Sequence, residues 1–272
     1  MATLPNPLPA LATDPSGRSA GLRLPPGKLV DTTIDGTWHE PLLWYADEPA
    51  SPRAWADLLP ARRTAGLHPL LVHGGHRKQW PEAWDLNPES VSYPGDHDAE
   101  DVLAGFWEYA TEEDEWPGLA AAPATAEDEA GDREGEAADP DDEAAEIASL
   151  LTDEGSWMHG ARVALVPARR SADIPAAIGW SGPVNHEEDV ARLSAVLRSW
   201  EDRFGIRVVG LTFDQLVVSV AFPPTTQDEA EAVAAEHYAF CPDNINQGRH
   251  TSLSAYATHQ VLDQPAWTFW WD

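Results

Sequence analysis

The sequence has one cysteine, two lysines and no long apolar run, and each shortage excludes a class of protein. Because Cys241 is the only cysteine among 272 residues, the chain forms no internal disulfide and no cysteine-rich zinc site. The formal net charge of −29 opposes binding to nucleic acid or to an anionic membrane surface. No segment approaches the roughly 18 apolar residues that a membrane span requires. We therefore expect a cytoplasmic protein that binds neither nucleic acid nor a membrane.

Acidic residues are concentrated in the stretch 111–146, where fifteen Asp or Glu stand against Arg133 alone. A segment of low hydrophobicity and like charge does not recover the ordering entropy of about 1 to 2 kcal/mol per residue. We predict a disordered acidic linker over residues 111–146. It is either a solvated spacer or, alternatively, an acidic tract that mimics nucleic acid or docks a basic protein partner. The Pro-rich residues 1–23 are predicted to be a disordered tail.

The first ordered segment, residues 24–110, has the pattern of a β-α-β unit. Two short apolar runs, 42–45 and 67–72, flank the stretch 52–64, in which apolar residues have helical spacing. Ser51 is a suitable N-cap and Gly66 a suitable stop for that helix. The sequence therefore predicts a small N-terminal α/β segment.

The second ordered segment, residues 157–272, has a clearer pattern. It gives a strand at 162–166, a helix with apolar spacing from Val190 to Phe204, and two β-branched runs at 206–211 and 216–222 that form a hairpin. Thr226 and Glu229 form a capping box for a helix that ends near Phe240, and Asn185 is the expected N-cap of the preceding one. The order predicts an α/β (α+β) protein with a ferredoxin-like β-α-β-β-α-β sandwich in this half.

The last residues, 267–272, carry three tryptophans and a phenylalanine where chains usually fray. Trp267, Phe269 and Trp271 share one face of an extended segment, and Trp270 lies on the other face beside Thr268. We predict a closing strand that is covered on both faces, with residues 24–110 covering the second.

Several short motifs identify a family. The run 237–244 (HYAFCPDN), the pair Gln247-Gly248 and the terminal WTFWWD are similar to the bacterial domain of unknown function 4253 over about residues 157–272. The resemblance implies a bacterial cytoplasmic origin and no activity, because the family is uncharacterised.

Two sets of residues in this region are candidates for chemistry. His237 and Cys241, at i and i+4, resemble a Cys-His nucleophile, although a cysteine at a helix end is more commonly a small core residue. The loop 241–248 is polar and rich in turn formers. Its candidate binding residues are Asp243, Asn244, Asn246 and Gln247, and Asx turns explain the same residues without a ligand.

A metal or cofactor site has little support in the sequence. His73 and His76 flank two glycines, and the more distant Asp96, His97 and Asp98 complete no recognised ligand spacing. Neither GxGxxG nor GxxxxGK[ST] occurs. We therefore expect no metal and no cofactor.

Three functional hypotheses remain from the sequence. The first is a non-enzymatic interaction or regulatory factor, immunity-like, that binds a basic protein partner through charge and aromatic anchors. The second is an enzyme that uses Cys241 and His237 on a small acyl or thiol substrate. The third is a small-ligand sensor that uses the loop 241–248. The oligomeric state does not follow from the sequence.

Overall fold

The computed structural model describes residues 6–111, 115–123 and 138–272, which place a seven-stranded sheet between two layers of helices. The strands are β1 Gly27–Val30, β2 Thr32–Thr33, β3 Gly36–Thr37, β4 Leu43–Ala46, β5 Leu67–Val72, β6 Arg162–Pro167, β7 Arg207–Leu211, β8 Gln215–Ser219 and β9 Ala266–Trp270, of which β2 and β3 form a separate two-stranded sheet. The α-helices are α1 Ala54–Leu58, α2 Ala61–Ala65, α3 Ala99–Thr111, α4 Pro140–Thr152, α5 Ile174–Ile178, α6 Val190–Phe204, α7 Gln227–Phe240, α8 Asp243–Asn246 and α9 Leu253–Tyr256. A π-helical turn, Ala257–Val261, continues α9.

Both predicted segments contribute strands to one sheet, whose order is β1-β4-β6-β5-β7-β8-β9. Only β5 and β7 pair in parallel, and the other neighbours are antiparallel. All six residues of β5 are buried, so both of its edges need hydrogen-bonding partners, and β6 and β7 supply them. The mixed α/β class is as predicted. The ferredoxin-like sandwich of residues 157–272 is not confirmed, because β6 lies between β4 and β5 of the amino-terminal segment and pairs with neither β8 nor β9.

The two helical layers bury different faces of the sheet. Helices α3, α5, α6 and α7 cover one face with a large aromatic core that includes Trp180, Trp200 and Trp267. Helices α1, α2 and α4 cover the other face, where Trp55, Leu71 and Ile147 are buried. In the described ranges, no helix is both long enough and apolar enough for a bilayer crossing.

The local predictions for the second half hold closely. The helix α6 spans the predicted residues and ends at Gly205 with φ +63°, a conformation that favours glycine. Thr226 and Glu229 form both hydrogen bonds of the capping box of α7, and β7 and β8 form the hairpin. The N-cap of α6 is Asp189 rather than Asn185.

The predicted helix at 52–64 is divided into α1 and α2. Pro60 is the N-cap of α2, and because proline lacks an N–H it interrupts the hydrogen-bond ladder of a continuous helix. The resulting pair of short helices still packs on β5, so the predicted β-α-β order is present.

The tail and the linker are more ordered than predicted. Leu8 and Leu11 are buried in a 3-10 turn of residues 8–12. Residues 140–146 belong to α4, and Ala120 is buried beside α6 and α7. These contacts supply the apolar burial that composition alone did not reveal. Residues 1–5, 112–114 and 124–137 of the predicted disordered stretches lie outside the described residues.

The closing strand β9 is an edge strand, paired with β8 on one side. Trp267, Phe269 and Trp271 are buried as predicted. The second face differs from the prediction, because Thr268 is exposed and Trp270 is only partly buried. Residues 24–110 contribute strands to the sheet instead of covering this face, and Trp270 is therefore left partly exposed.

Candidate ligand-binding site

The segment after α7 folds into a tight loop because one helix ends where another begins. The Cys241 N–H, at the end of α7, donates to the His237 carbonyl oxygen at 2.8 Å, and Pro242 then starts the short helix α8. At Gly248 an added Cβ would lie 1.9 Å from the Asn244 carbonyl oxygen. Only glycine tolerates so close an approach, so the local sequence fixes the course of the loop.

Asn244 ties this loop to β9 and to α9. Its Nδ2 donates to the Thr268 carbonyl oxygen at 2.8 Å and to the Tyr256 hydroxyl at 3.1 Å. Its Oδ1 accepts from the Trp270 N–H at 3.2 Å, and the Cys241 sulfur lies 3.5 Å from the same oxygen. The amide therefore uses its donors and its acceptor within the protein, and its role is to hold three elements together.

Cys241 and His237 are both fully buried, with 0% exposure. The thiol donates to the Trp270 carbonyl oxygen at 2.9 Å, and burial raises the pKa of Cys241 well above its ordinary value. The Nδ1 atom of His237 lies 3.2 Å from the Tyr256 hydroxyl. Burial, and then the positive charge of Arg203, lowers the pKa of His237 to about 3. The protonated thiol and the neutral imidazole are both shielded from solvent and have different partners, so this pair lacks the thiolate that nucleophilic catalysis needs.

A cavity of about 350 Å³ opens where the loop, the end of α9 and the open face of β9 meet. We call it the β9 cavity. The residues that line it are Asn244, Gly248, Arg249, His250, Tyr256, Gln260, Thr268 and Trp270. Its volume is in the range of small-molecule sites, and Trp270 supplies an aromatic wall at the sheet edge.

The rim of the β9 cavity is cationic and rich in hydrogen-bond donors. Arg249 is exposed and forms no hydrogen bond or ion pair with any residue that the structure describes. The rings of His250 and His259 stack with centroids 4.6 Å apart. Gln260, also exposed, adds an amide. The positive charge of Arg249 at this rim contrasts with the net charge of −29 of the chain.

The π-helical turn Ala257–Val261 shapes one wall of the cavity. It follows Tyr256 directly and contains Gln260. A π-turn costs hydrogen-bond geometry relative to an α-helix and is frequently retained at functional sites. The turn and Trp270, which is partly buried, line the same cavity, and this arrangement supports a binding role for the cavity.

A family model matches the part of the chain that contains this cavity. Residues 162–272 match the family model described as Domain of unknown function (DUF4253). This match confirms the family resemblance for the carboxyl-terminal part of the chain. Comparison with curated proteins and with solved structures finds no match.

The matched residues 162–272, which we call the DUF4253 segment, contain every residue that lines the β9 cavity. It does not contain β1, β4 or β5, which complete the sheet from the amino-terminal side. The cavity therefore lies in the matched part of the chain, whereas the central strand β5 comes from outside it.

The predicted binding residues of the DUF4253 segment have different positions. Asn244 lines the cavity. The Asp243 carboxylate accepts from Gln247 Nε2 at 2.9 Å and from the Asp272 N–H at 3.2 Å, so it stabilises the loop and the chain end. Asn246 and Gln247 are exposed outside the cavity lining.

Sequence reasoning missed most of the cavity. The residues not predicted are Arg249, His250, Tyr256, Gln260, Thr268 and Trp270. Two signals in the sequence pointed to them. Arg249 and His250 follow Gly248 directly, and Trp270 is the one terminal tryptophan out of phase with the buried face of β9.

The histidines considered for a metal are divided between two places. His76 Nδ1 lies 3.9 Å from Asp214 Oδ2, and His97 Nε2 lies 3.7 Å from Asp189 Oδ2. His73 Nδ1 accepts from the Gly75 N–H at 3.3 Å. Within the described ranges, no group of three or more His, Cys, Asp or Glu side chains is arranged to hold a metal ion.

Proposed function

We propose that this protein is a non-enzymatic regulatory protein that binds a small ligand in the β9 cavity. The observation that carries the proposal is a 350 Å³ cavity with an unpaired Arg249 at its rim and Trp270 on its wall. A concave site with a few unsatisfied polar groups and an aromatic surface is the usual form of a ligand site. The family resemblance supports a bacterial origin, and a chain with one cysteine fits a reducing, cytoplasmic location.

The network below the cavity supports a sensing role. Tyr256 lines the cavity and also bonds Asn244 and His237, which belong to the loop and to α7. A ligand that contacts Tyr256 or Trp270 therefore touches side chains that couple the sheet edge to the helical layer. Binding to the folded state alone stabilises it by mass action.

The Cys-His enzyme has weaker support than the sensor. The Cys241 thiol and the His237 ring are fully buried, and the shifts of their pKa values favour the thiol and the neutral imidazole. Neither residue lines the cavity, although the His237 ring contacts Tyr256 and the Cys241 thiol donates to the Trp270 carbonyl oxygen.

Filling the cavity tests the binding proposal. Thr268→Phe places an aromatic ring into the space from an exposed position, and it leaves intact the backbone carbonyl that Asn244 uses. We expect a metabolite panel to contain compounds that raise the Tm of the wild type, and we expect Thr268→Phe to lose at least tenfold in affinity for them. Thermal unfolding followed by calorimetric titration measures both quantities.

Thr37→Phe is the matched control, because Thr37 is an exposed strand residue outside the cavity. It should bind the same compounds as the wild type. Equal affinity of Thr268→Phe and wild type, or the lack of any stabilising compound, would contradict binding in the β9 cavity.

The second candidate function is binding of a basic protein partner. It is favoured by α4, where the pKa of Glu143 is raised by burial and then by repulsion from Glu146. An approaching cationic surface relieves such repulsion. Six further acids stand between positions 127 and 136.

Charge neutralisation tests this candidate better than deletion of residues 111–146. Deletion would remove Asp141, which bonds both Arg62 and Arg207, and Ala120, which is buried. We instead propose Glu→Gln and Asp→Asn at positions 127, 128, 129, 132, 134 and 136. A partner recovered from the source cells should bind this variant about tenfold more weakly at low salt, with a flatter salt dependence. An unchanged affinity and salt slope would refute the electrostatic contribution.

A further inference from the structure

The strongest unexplained feature is a free arginine on a strongly acidic protein. Seven other arginines pair with carboxylates, namely Arg53, Arg62, Arg170, Arg192, Arg198, Arg203 and Arg207, and the exposed Arg18, Arg23 and Arg63 have no partner among the described residues but lie away from Trp270. Arg249 instead projects at the cavity rim without a partner in the described part of the chain. A guanidinium offers five donors in a planar fork that suits a carboxylate or a phosphate.

The cavity lining adds two further uncommitted polar side chains. His250 and Gln260 have no hydrogen-bonding partner among the described residues, and each offers an N–H group and an acceptor atom. The acceptors in the wall are already engaged, since Asn244 Oδ1 accepts from Trp270 and the Tyr256 hydroxyl contacts Asn244 and His237. Arg249 carries the one permanent charge of the lining, and no Asp or Glu lines the cavity to balance it.

The nearest acid along the loop does not neutralise this rim. The Asp243 carboxylate is bonded to Gln247 and to the backbone of Asp272. Beside the donors, the partly buried indole of Trp270 offers a planar apolar surface. A ligand that combines an oxyanion with a flat apolar group matches both parts of the site.

We infer that the β9 cavity binds a small ligand whose oxyanion, a carboxylate or a phosphate, contacts Arg249 and whose planar apolar group lies against Trp270. The inference rests on the proposed function and adds the chemical class of the ligand. Carboxylate and phosphate share the same recognition by a guanidinium fork, and the two are distinguished by the probes.

Four probes of similar size and different charge test this inference, namely benzoate, phenyl phosphate, benzamide and benzylamine. We expect the wild type to bind benzoate or phenyl phosphate at least tenfold more tightly than the neutral and cationic probes, since a charge-assisted hydrogen bond discriminates by about that factor. Arg249→Gln should remove the preference, and Arg249→Lys should retain part of it. Calorimetric titration or saturation-transfer NMR gives the affinities.

The controls separate failure of this inference from failure of the proposed function. Arg63→Gln removes another exposed arginine outside the cavity and should leave anion binding unchanged. If benzamide binds as tightly as benzoate and Thr268→Phe abolishes both, the cavity is a ligand site but the oxyanion assignment is overturned. Anion binding that survives both Arg249→Gln and Thr268→Phe overturns it as well. Lack of binding of both anions up to about 10 mM does the same.

Discussion

Arg203→Leu is expected to lower the free energy of unfolding by about 3 to 5 kcal/mol, because it leaves a buried carboxylate without its counter-charge. Glu236 is fully buried. Arg203 donates to its two carboxylate oxygens at 2.7 Å each. The Trp200 indole N–H and the Ala120 N–H also donate to this carboxylate at 2.7 Å. A neutral leucine removes two charge-assisted bonds and leaves only the two neutral donors.

Chemical denaturation followed by far-UV circular dichroism measures this loss. Arg170→Leu is the control, because Arg170 and Asp202 form an ion pair whose side chains are 33% and 67% exposed. An exposed pair contributes about 0 to 1 kcal/mol. Hydrogen exchange at Ala120 gives a local check, since its N–H loses protection when Glu236 is displaced. Equal losses in the two variants would show that the Arg203–Glu236 pair does not stabilise the fold.

This ion pair illustrates why part of the fold could not be predicted from the sequence. Residues 115–123 fall within the window 111–146, which is acidic on average, yet Ala120 is buried and bonded to Glu236 and Arg203. Likewise Asp141 lies between Arg62 and Arg207. Composition averages over a window, whereas each of these anchors is a single residue whose partner is distant along the chain.

Local patterns, in contrast, predicted the elements well. The apolar spacing of α6, the capping box at Thr226 and the hairpin β7–β8 depend on residues close in sequence. The position of β5 between β6 and β7 depends on pairing between residues about 90 to 140 apart. No periodicity encodes such pairing, so the ferredoxin-like order was inferred from chain order alone.

Of the candidate site, the sequence predicted the supporting loop but not the side chains that are free to bind a ligand. Turn chemistry identified the loop 241–248, and Asn244 does form a wall of the cavity. Its amide is nevertheless saturated by β9 and α9, and the free donors come from Arg249 and Gln260. Whether a polar side chain binds internally or faces a cavity depends on tertiary packing, which the residue type does not specify.

Acidification between pH 6.5 and pH 4 is expected to destabilise the protein steeply, and His237 is a main cause. Its pKa is about 3 in the fold against an ordinary value of 6.5, so the unfolded state binds more protons in this range. Stability therefore falls as the pH decreases, by about 1.4 kcal/mol per pH unit for one such histidine. Above about pH 7 the ring is neutral in both the folded and the unfolded state, so His237 no longer destabilises the fold. His68, whose pKa burial lowers to about 4, acts in the same direction.

His237→Phe tests the assignment, because phenylalanine fills the aromatic pocket formed by Trp200, Trp267 and Phe269 without a titrating group. It loses the Tyr256 contact and starts from a lower stability at pH 7.5, but its decline between pH 6 and pH 4.5 should be shallower by about 1.4 kcal/mol per unit. His259→Phe, at an exposed site, should keep the slope of the wild type. Urea unfolding at several pH values measures all three slopes. Parallel curves for the wild type and His237→Phe would show that His237 takes up no proton on unfolding in this pH range. The acid sensitivity would then belong to other groups.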